Sequence, residues 1–222
     1  RNLLLDVGGK FVPRPYSIAS CPESRLSLEL YFALVATGAL TPALWAAKEG
    51  DPIWYMDSAK GKFTLEGAAP KHWVMVGTGT GLAPFLSMLR GLWIAHKAGR
   101  PHGKTITLMH GVRYHDDLGY REELSSMAAD KSFQLAYLPT VSRPEGASLS
   151  DPWVATGRVN DVFRALLHEP PDGKVAPVFA KNLPAPSLIE RMPPSDTALF
   201  LCGNPAMGAD VKAIGPKHGY AD

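Results

Sequence analysis

The 222-residue chain carries its most informative stretch at positions 76–84, which read Val76-Gly77-Thr78-Gly79-Thr80-Gly81-Leu82-Ala83-Pro84. An apolar run, His72–Val76, leads into this stretch, and apolar residues spaced as on one helix face follow it over Pro84–Ala98. Glycines between a buried strand and a helix let the backbone approach a pyrophosphate, and the free N–H groups of the helix start favour an anion. Since the stretch is neither a GxGxxG fingerprint nor a Walker A loop, a plain strand-to-helix turn stays an equal alternative.

Strands and helices continue to alternate after this turn. The periodicity predicts strands over Thr105–His110, Phe133–Leu138 and Ala198–Cys202, and helices over Leu118–Ala129 and Val159–Leu167. Strands separated by helices of this length are typical of an α/β domain with a parallel sheet. Seven prolines between His168 and Ser195 predict a long irregular excursion there.

The first part of the chain has a different rhythm. A short helix, Thr41–Ala47, is predicted from Thr41 as its N-cap and Pro42 as its first residue. Short apolar runs cut by turn residues predict a β-barrel or a β-sandwich; they are Leu3–Val7, Phe11–Ile18, Leu26–Val35, Ile53–Met56 and Phe63–Leu65. The composition changes near Ala68–Pro70, so we predict two domains, residues 1–68 and 69–222.

Composition and charge exclude several classes of function. The 23 Lys and Arg against 21 Asp and Glu leave +2, too balanced for nucleic-acid binding, and no apolar run is long enough for membrane insertion. Two cysteines are too few for a disulfide framework or an iron–sulfur cluster, which favours a reducing compartment and a cytoplasmic protein. We predict no metal site and expect a monomer. The chain starts at Arg1 without an initiator Met, so a targeting peptide is not excluded.

Three further stretches contain residues suited to a nucleotide cofactor. In Arg14-Pro15-Tyr16-Ser17, alternation places Arg14 and Tyr16 on one strand face, although an ordinary strand is the commoner meaning. Gly38-Ala39-Leu40-Thr41-Pro42 is either a phosphate-holding turn or a plain helix cap. In Leu201–Met207, Cys202 lies at the predicted end of a parallel strand, where it either contacts a ligand or is simply a small buried side chain.

These four stretches, in this order, resemble the ferredoxin–NADP reductase family, specifically its bacterial ferredoxin/flavodoxin reductase branch. The similarity extends from about Leu3 to Met207. The resemblance implies two domains, an antiparallel β-barrel that binds FAD followed by an α/β parallel-sheet domain that binds NADP(H). It also implies that this chain lacks the first barrel strand, so that the FAD domain is incomplete at its N-terminus. It does not decide the role of Tyr220, which either covers the flavin or belongs to a frayed tail.

The resemblance implies roles for residues in both domains. Arg14 would bind an FAD phosphate, Tyr16 would stack on the isoalloxazine ring, and Ser17 would hydrogen-bond near flavin N5. Three residues would hold the FAD pyrophosphate, namely Gly38, Leu40 and Thr41. The backbone of four others would contact the ribityl or adenosine portion, namely Tyr31, Phe32, Ala33 and Leu34.

For NADP(H), the resemblance assigns the glycine turn and the end of the last strand. The pyrophosphate would lie against Gly79, Thr80 and Gly81, and Thr80 and Cys202 would lie near the nicotinamide. Gly203 would also bind the cofactor. The catalytic set is then Tyr16, Ser17 and Cys202. Ser142 and Arg143 resemble the 2'-phosphate site. Arg113 follows a strand end and Arg158 precedes a helix, where phosphate also fits, although each arginine by itself could simply face solvent.

The function that these residues imply is FAD-dependent electron transfer between NADP(H) and ferredoxin or flavodoxin. Hydride would be exchanged at flavin N5, and single electrons would be exchanged with the protein acceptor. Two alternatives stay open. One is the reductase component of an oxygenase system, and the other is a non-catalytic flavin- or nucleotide-binding module.

Overall fold

The structure of the chain is a computed structural model that describes residues 2–6, 11–56, 61–173 and 176–221. The chain divides into two compact units. The first unit comprises Arg1–Leu65 and Ala83–Gly91, and the second comprises Glu66–Leu82 and Leu92–Asp222. The domain boundary expected at residue 68 stays a prediction.

The described part of the first unit contains an antiparallel sheet of three strands in the order β2-β1-β3. These strands are β1 (Asn2–Asp6), β2 (Phe11–Pro15) and β3 (Trp54–Tyr55). In this register Leu3 lies opposite Arg14 on one side and Tyr55 on the other. The antiparallel pairing agrees with the β-rich sequence, whereas closure of a barrel stays a prediction.

Two predicted strands of the first unit are wrong. The run Leu26–Val35 contributes one bridge residue, Leu30, which pairs with Ile18, and the run Phe63–Leu65 contains bends at Thr64 and Leu65 in place of a strand. Apolar alternation produces a strand only where a neighbouring chain supplies hydrogen-bond partners along its length. Of the run Leu3–Val7, Val7 lies outside the described residues.

The short helix of the first unit, α1, covers Thr41–Ala46 and begins differently from the prediction. Thr41 is its first helical residue and Leu40 occupies the cap position, where its side chain offers no acceptor. The Thr41 hydroxyl instead accepts from the Val35 N–H and donates to the Val35 carbonyl, each at 3.0 Å. The predicted N-cap role of Thr41 is therefore wrong, because this side chain braces the preceding loop.

The second unit contains a five-stranded parallel sheet, as the alternating pattern predicts. Its order is β7-β6-β5-β4-β8, so the chain adds strands on one side of β4 and then returns to the other side with β8. Ligands of such sheets bind beyond the carboxyl ends of the strands where the order reverses, here between β4 and β8. The strands are β4 (His72–Thr78), β5 (Thr105–Val112), β6 (Leu135–Val141), β7 (Ala155–Thr156) and β8 (Thr197–Cys202).

Helices alternate with these strands. They are α2 (Leu82–Lys97), α3 (Arg121–Ala129), α4 (Ala147–Ser150), α5 (Val159–Leu166), α6 (Ala185–Ile189) and α7 (Pro205–Ile214). The helix α3 begins three residues later than predicted, because Tyr120, the residue before it, has a left-handed backbone conformation with a φ of 59°. None of the helices in the described ranges has the length and apolar character needed to cross a bilayer.

One face of the sheet packs on α5 and α7 through a buried apolar core. The proline-rich excursion covers part of this core, since Ala180, Leu188 and Met192 are buried in it. Tyr220 is also buried there, and its hydroxyl donates to the Met192 carbonyl at 2.7 Å. Burial raises the pKa of Tyr220 to about 12. Tyr220 is thus a core residue of the second unit rather than part of a frayed tail.

Candidate functional site

The glycine turn lies at the carboxyl end of β4 and leads through a 3-10 turn, Gly79–Gly81, into α2. Gly79 has a φ of +51°, a left-handed conformation that side chains other than glycine adopt at a cost. Pro84 is the third residue of α2, where its missing N–H would have had no helical partner. The turn therefore leaves backbone N–H groups at the start of a 16-residue helix.

The end of β8 packs directly against this turn. A Cβ added at Gly81 would overlap the Cys202 carbonyl and lie 2.7 Å from Gly203 Cα. A Cβ added at Gly203 would in turn overlap the Thr78 hydroxyl. The structure thus brings together two predicted motifs, Gly79–Gly81 and Cys202–Gly203, at a contact so close that only glycine fits on either side.

A hydrogen bond fixes this junction. The Asn204 N–H donates to Thr78 Oγ1 at 2.7 Å, and the Asn204 side chain accepts from the Ala206 N–H at 2.9 Å, which caps α7. Thr78 and Asn204 belong to motifs quoted from the sequence, but we did not identify either as a site residue. The spacing offers no signal for their contact, because it joins residues 126 positions apart.

Cys202 carries a neutral thiol at the end of β8. Its side chain is half-buried, and this burial raises the pKa of the thiol. Cys202 is a free cysteine and pairs in register with Gly77 of β4. A neutral, polarisable group therefore stands next to the glycine turn.

His110 is a residue of the site that the sequence analysis missed. It is fully buried in β5, and its Nε2 lies 3.3 Å from the Gly79 carbonyl. Burial lowers the pKa of His110 to about 4, and the hydrogen bond to Gly79 only partly opposes this effect. The only signal in the sequence was a histidine within a strand that has no other ionisable residue.

The carboxyl ends of β5 and β6 carry the candidate 2'-phosphate residues. The backbone holds them side by side, because the Arg143 N–H donates to the Arg113 carbonyl at 2.9 Å. The Arg143 guanidinium donates to the Tyr114 hydroxyl at 3.0 Å and lies 5.8 Å from that ring. Both arginines and Tyr114 are exposed, so a planar ring and cationic forks face solvent together.

Ser142 and Arg158 occupy the same edge. The Ser142 hydroxyl donates to the Val112 carbonyl at 3.1 Å, so it must rotate before it can donate to a phosphate. Arg158 is exposed and precedes the first residue of α5, and the Gly157 N–H before it donates to the Val141 carbonyl at 2.9 Å. All four predicted phosphate ligands thus follow the carboxyl ends of neighbouring strands, namely β5, β6 and β7.

In the first unit, the predicted flavin residues gather around a small apolar cluster. Tyr16 packs on it and meets Phe32 edge-on, with 6.3 Å between ring centroids. Leu40 is buried in the same cluster. Burial raises the pKa of Tyr16, and the nearby Arg14 charge partly opposes this. Each of the three predicted FAD segments therefore contributes one residue to the same cluster, namely Tyr16, Phe32 and Leu40.

Other predicted FAD residues surround this cluster. Arg14 and Ser17 are exposed, and Arg14 Nη1 donates to its neighbour's carbonyl at 2.8 Å. Tyr31 is half-buried, whereas Ala33 and Leu34 are exposed. The Gly38 N–H donates to the Val35 carbonyl at 2.8 Å, which closes the turn before α1.

Fold and site together define a class of protein, the nucleotide-binding oxidoreductases built on a parallel sheet. The family model for the oxidoreductase NAD-binding domain matches residues 75–213. The chain belongs to this family and, more narrowly, to the ferredoxin–NADP reductase family. This narrower membership follows from its relatives.

Several relatives cover nearly the whole chain. It is 30% identical to ferredoxin–NADP reductase A of Sorangium cellulosum, over 98% of this chain and 71% of that protein. It is 28% identical to the ferredoxin–NADP reductase of Pseudomonas aeruginosa, over 95% of this chain and 74% of that one. A crystal structure of a ferredoxin NADP+ reductase from Neisseria gonorrhoeae with bound FAD and NADP is 25% identical, with a TM-score of 0.77. That match covers 100% of this chain and 78% of the other.

Proposed function

We propose that this protein is an FAD-dependent oxidoreductase that transfers electrons between NADP(H) and ferredoxin or flavodoxin. The observation that carries the proposal is the junction of Gly79–Gly81 with Cys202–Gly203, where the strand order of the sheet reverses. The relatives named above have this activity in their names.

The residues of the second unit fit NADP(H). The positive φ of Gly79 and the start of α2 suit a pyrophosphate, which backbone N–H groups of Gly79, Thr80 and Gly81 would hold. The exposed guanidinium groups at the ends of β5 and β6 suit a 2'-phosphate, which only NADP(H) carries. No acidic side chain lies within Gly111–Tyr114, where an NAD-specific site would hold the ribose hydroxyls.

The residues of the first unit fit FAD. Tyr16 offers an aromatic face beside Phe32 and Leu40, and Arg14 offers an exposed cation for a phosphate. Gly38 and Leu40 would contribute backbone groups, as would Tyr31–Leu34. Thr41 would act through the loop it braces, because its hydroxyl already has both a donor and an acceptor partner in Val35. An antiparallel barrel around this site belongs to the same proposal.

When bound, FAD supplies the exchange of a hydride with NADP(H) and of single electrons with a protein acceptor. Ser17 would donate or accept one hydrogen bond near flavin N5. Cys202 would place an uncharged thiol near the nicotinamide, because its raised pKa keeps the proton on sulfur at neutral pH. Thr80 would orient the same ring. A monomer in the cytoplasm with a ferredoxin or flavodoxin partner completes the proposal.

The proposal is tested by the spectrum and turnover of the purified protein. We expect bound flavin that NADPH bleaches under anaerobic conditions, and turnover of ferricyanide. A protein without flavin, or with flavin that NADPH cannot reduce, would contradict the proposal. Faster turnover with an oxygenase component than with ferredoxin or flavodoxin would favour the reductase of an oxygenase system.

The FAD residues are tested by two variants of one side chain. Tyr16→Ala removes the ring that would stack on the flavin, whereas Tyr16→Phe keeps the ring and its contact with Phe32. We expect the alanine variant to lose flavin on gel filtration and the phenylalanine variant to retain it. Arg14→Ala should also weaken retention. A fully loaded Tyr16→Ala protein would show that the ring does not stack on FAD.

A further inference from the structure

His110 is a buried polar residue that the proposed chemistry leaves without a role. It lies in β5, one strand away from the glycine turn, and none of its side chain is exposed. A buried imidazole is held by its hydrogen bonds, because each unsatisfied nitrogen would cost free energy. The groups that hydrogen-bond to its two ring nitrogens therefore indicate the role of this residue.

The two partners determine which nitrogen carries the proton. The Gly79 carbonyl, 3.3 Å from Nε2, can only accept, so Nε2 donates. Nδ1 then accepts from the Tyr137 hydroxyl of β6 at 3.4 Å. The lowered pKa of His110, about 4, agrees with a neutral ring that has one donor and one acceptor nitrogen.

The Gly79 carbonyl thereby determines the direction of the next amide. The carbonyl accepts from His110 and from the Leu82 N–H, so it points into the protein. The Gly79–Thr80 peptide is trans, and in a trans peptide the N–H points opposite to the carbonyl. The Thr80 N–H consequently points away from His110.

We infer that His110 is a positioning residue for the coenzyme, which holds the Gly79–Thr80 peptide so that the Thr80 N–H faces the pyrophosphate. The inference rests on the proposed function, since it assumes that this turn binds the NADP(H) pyrophosphate. His110 itself contacts neither coenzyme nor substrate. Without the His110 donor, the Gly79 carbonyl keeps only the Leu82 N–H as a partner, and the glycine backbone permits other orientations of the peptide.

Two ligands separate a positioning role from a merely structural one. NADP+ carries the pyrophosphate, whereas 2'-AMP carries only the 2'-phosphate, which Arg143 would bind after β6, two strands away from β4 in the sheet. We expect His110→Leu to raise the Kd of NADP+ about tenfold, as for one lost buried hydrogen bond, and the Kd of 2'-AMP by less than about twofold. Titration calorimetry on the intact protein measures both. Equal weakening of the two ligands, or no weakening of NADP+, would overturn the inference.

Two conservative variants keep the test valid if His110→Leu does not fold. His110→Gln has an amide that reaches the Nε2 position and should bind NADP+ like the wild type, whereas the shorter His110→Asn should not. Equal affinity of these two variants would overturn the inference. Thr107→Val is the matched control, because Thr107 is fully buried in the same strand and its hydroxyl has no hydrogen-bond partner among the described residues. A wild-type protein that binds neither ligand would instead refute the proposed function.

Discussion

Coenzyme preference is the property that most directly tests the assignment of Arg143. The perturbation is Arg143→Ala, which removes an exposed guanidinium from the end of β6. In the structure this group donates to the Tyr114 hydroxyl, and its other N–H groups remain available to a phosphate. The substitution also removes the cation beside the Tyr114 ring, 5.8 Å away.

The magnitude follows from the exposure of the site. A hydrogen bond to a charged group contributes about 1.5 to 3 kcal/mol, and solvent screening at an exposed edge favours the lower half of that range. A loss of about 1.5 to 2 kcal/mol corresponds to a roughly ten- to 30-fold lower kcat/KM for NADPH. NADH lacks the 2'-phosphate, so its kcat/KM should change by less than about twofold.

The assay is ferricyanide reduction with each coenzyme, in the wild type and three variants. Arg143→Lys keeps the charge but not the planar fork, so we expect an intermediate loss. Arg100→Ala is the control, because Arg100 is equally exposed but precedes β5, at the opposite edge of the sheet. A wild type that prefers NADH, or an Arg143→Ala variant that loses both coenzymes equally, would refute the 2'-phosphate assignment.

Three further predictions concern stability. Gly81→Ala should destabilise the fold by about 1 to 3 kcal/mol because its Cβ overlaps backbone atoms. In α7, a Cβ at Gly208 meets nothing within 4 Å, so Gly208→Ala should stabilise the fold by about 0.5 to 1 kcal/mol. Urea unfolding compares the two variants, and equal effects on stability would contradict the close packing at Gly81. Tyr220→Phe should cost about 1 to 2 kcal/mol, because the buried Met192 carbonyl loses its donor, and an unchanged unfolding midpoint would argue against that bond. The pKa of His110 is about 4 in the folded protein against 6.5 in the unfolded chain, so the unfolded chain binds more protons between these two pH values. The free energy of unfolding should therefore decrease as the pH falls from 6.5 to 4, by up to about 3 kcal/mol. Urea unfolding from pH 7 to 4 should show this loss in the wild type and not in His110→Gln, and parallel curves would contradict the burial of a neutral ring.

Several features of this protein could be predicted because they depend on residues close together in the chain. The turn at 76–84 predicts a strand, a tight glycine turn and a helix, since each is encoded by spacing and backbone freedom within a few residues. The alternation after it predicts the parallel sheet, because strands separated by helices pair in this way. The match to a known family, together with these elements, was therefore visible in the sequence.

Other features depend on contacts that no local pattern encodes. Thr41 looks like a helix cap, yet its hydroxyl bonds to Val35, because the loop before it offers a carbonyl and an N–H at the right distance. The run Leu26–Val35 alternates like a strand but pairs at one bridge, because the described part of the chain places no further strand along it. Tyr220 occupies a place in the core that its position near the end of the sequence gives no reason to expect.

The candidate site likewise combines features that local sequence predicts with features that depend on long-range contacts. The order of the residues indicates which backbone can turn at Gly79 and which side chains follow the strand ends. The contact of Gly81 with Cys202 and the hydrogen bonds from Asn204 to Thr78 and from His110 to the Gly79 carbonyl depend on how the chain folds. The physical reason is that parallel pairing joins β4 to β5 and to β8, strands far apart in the sequence, so the partners of the turn are set by sheet order and not by spacing.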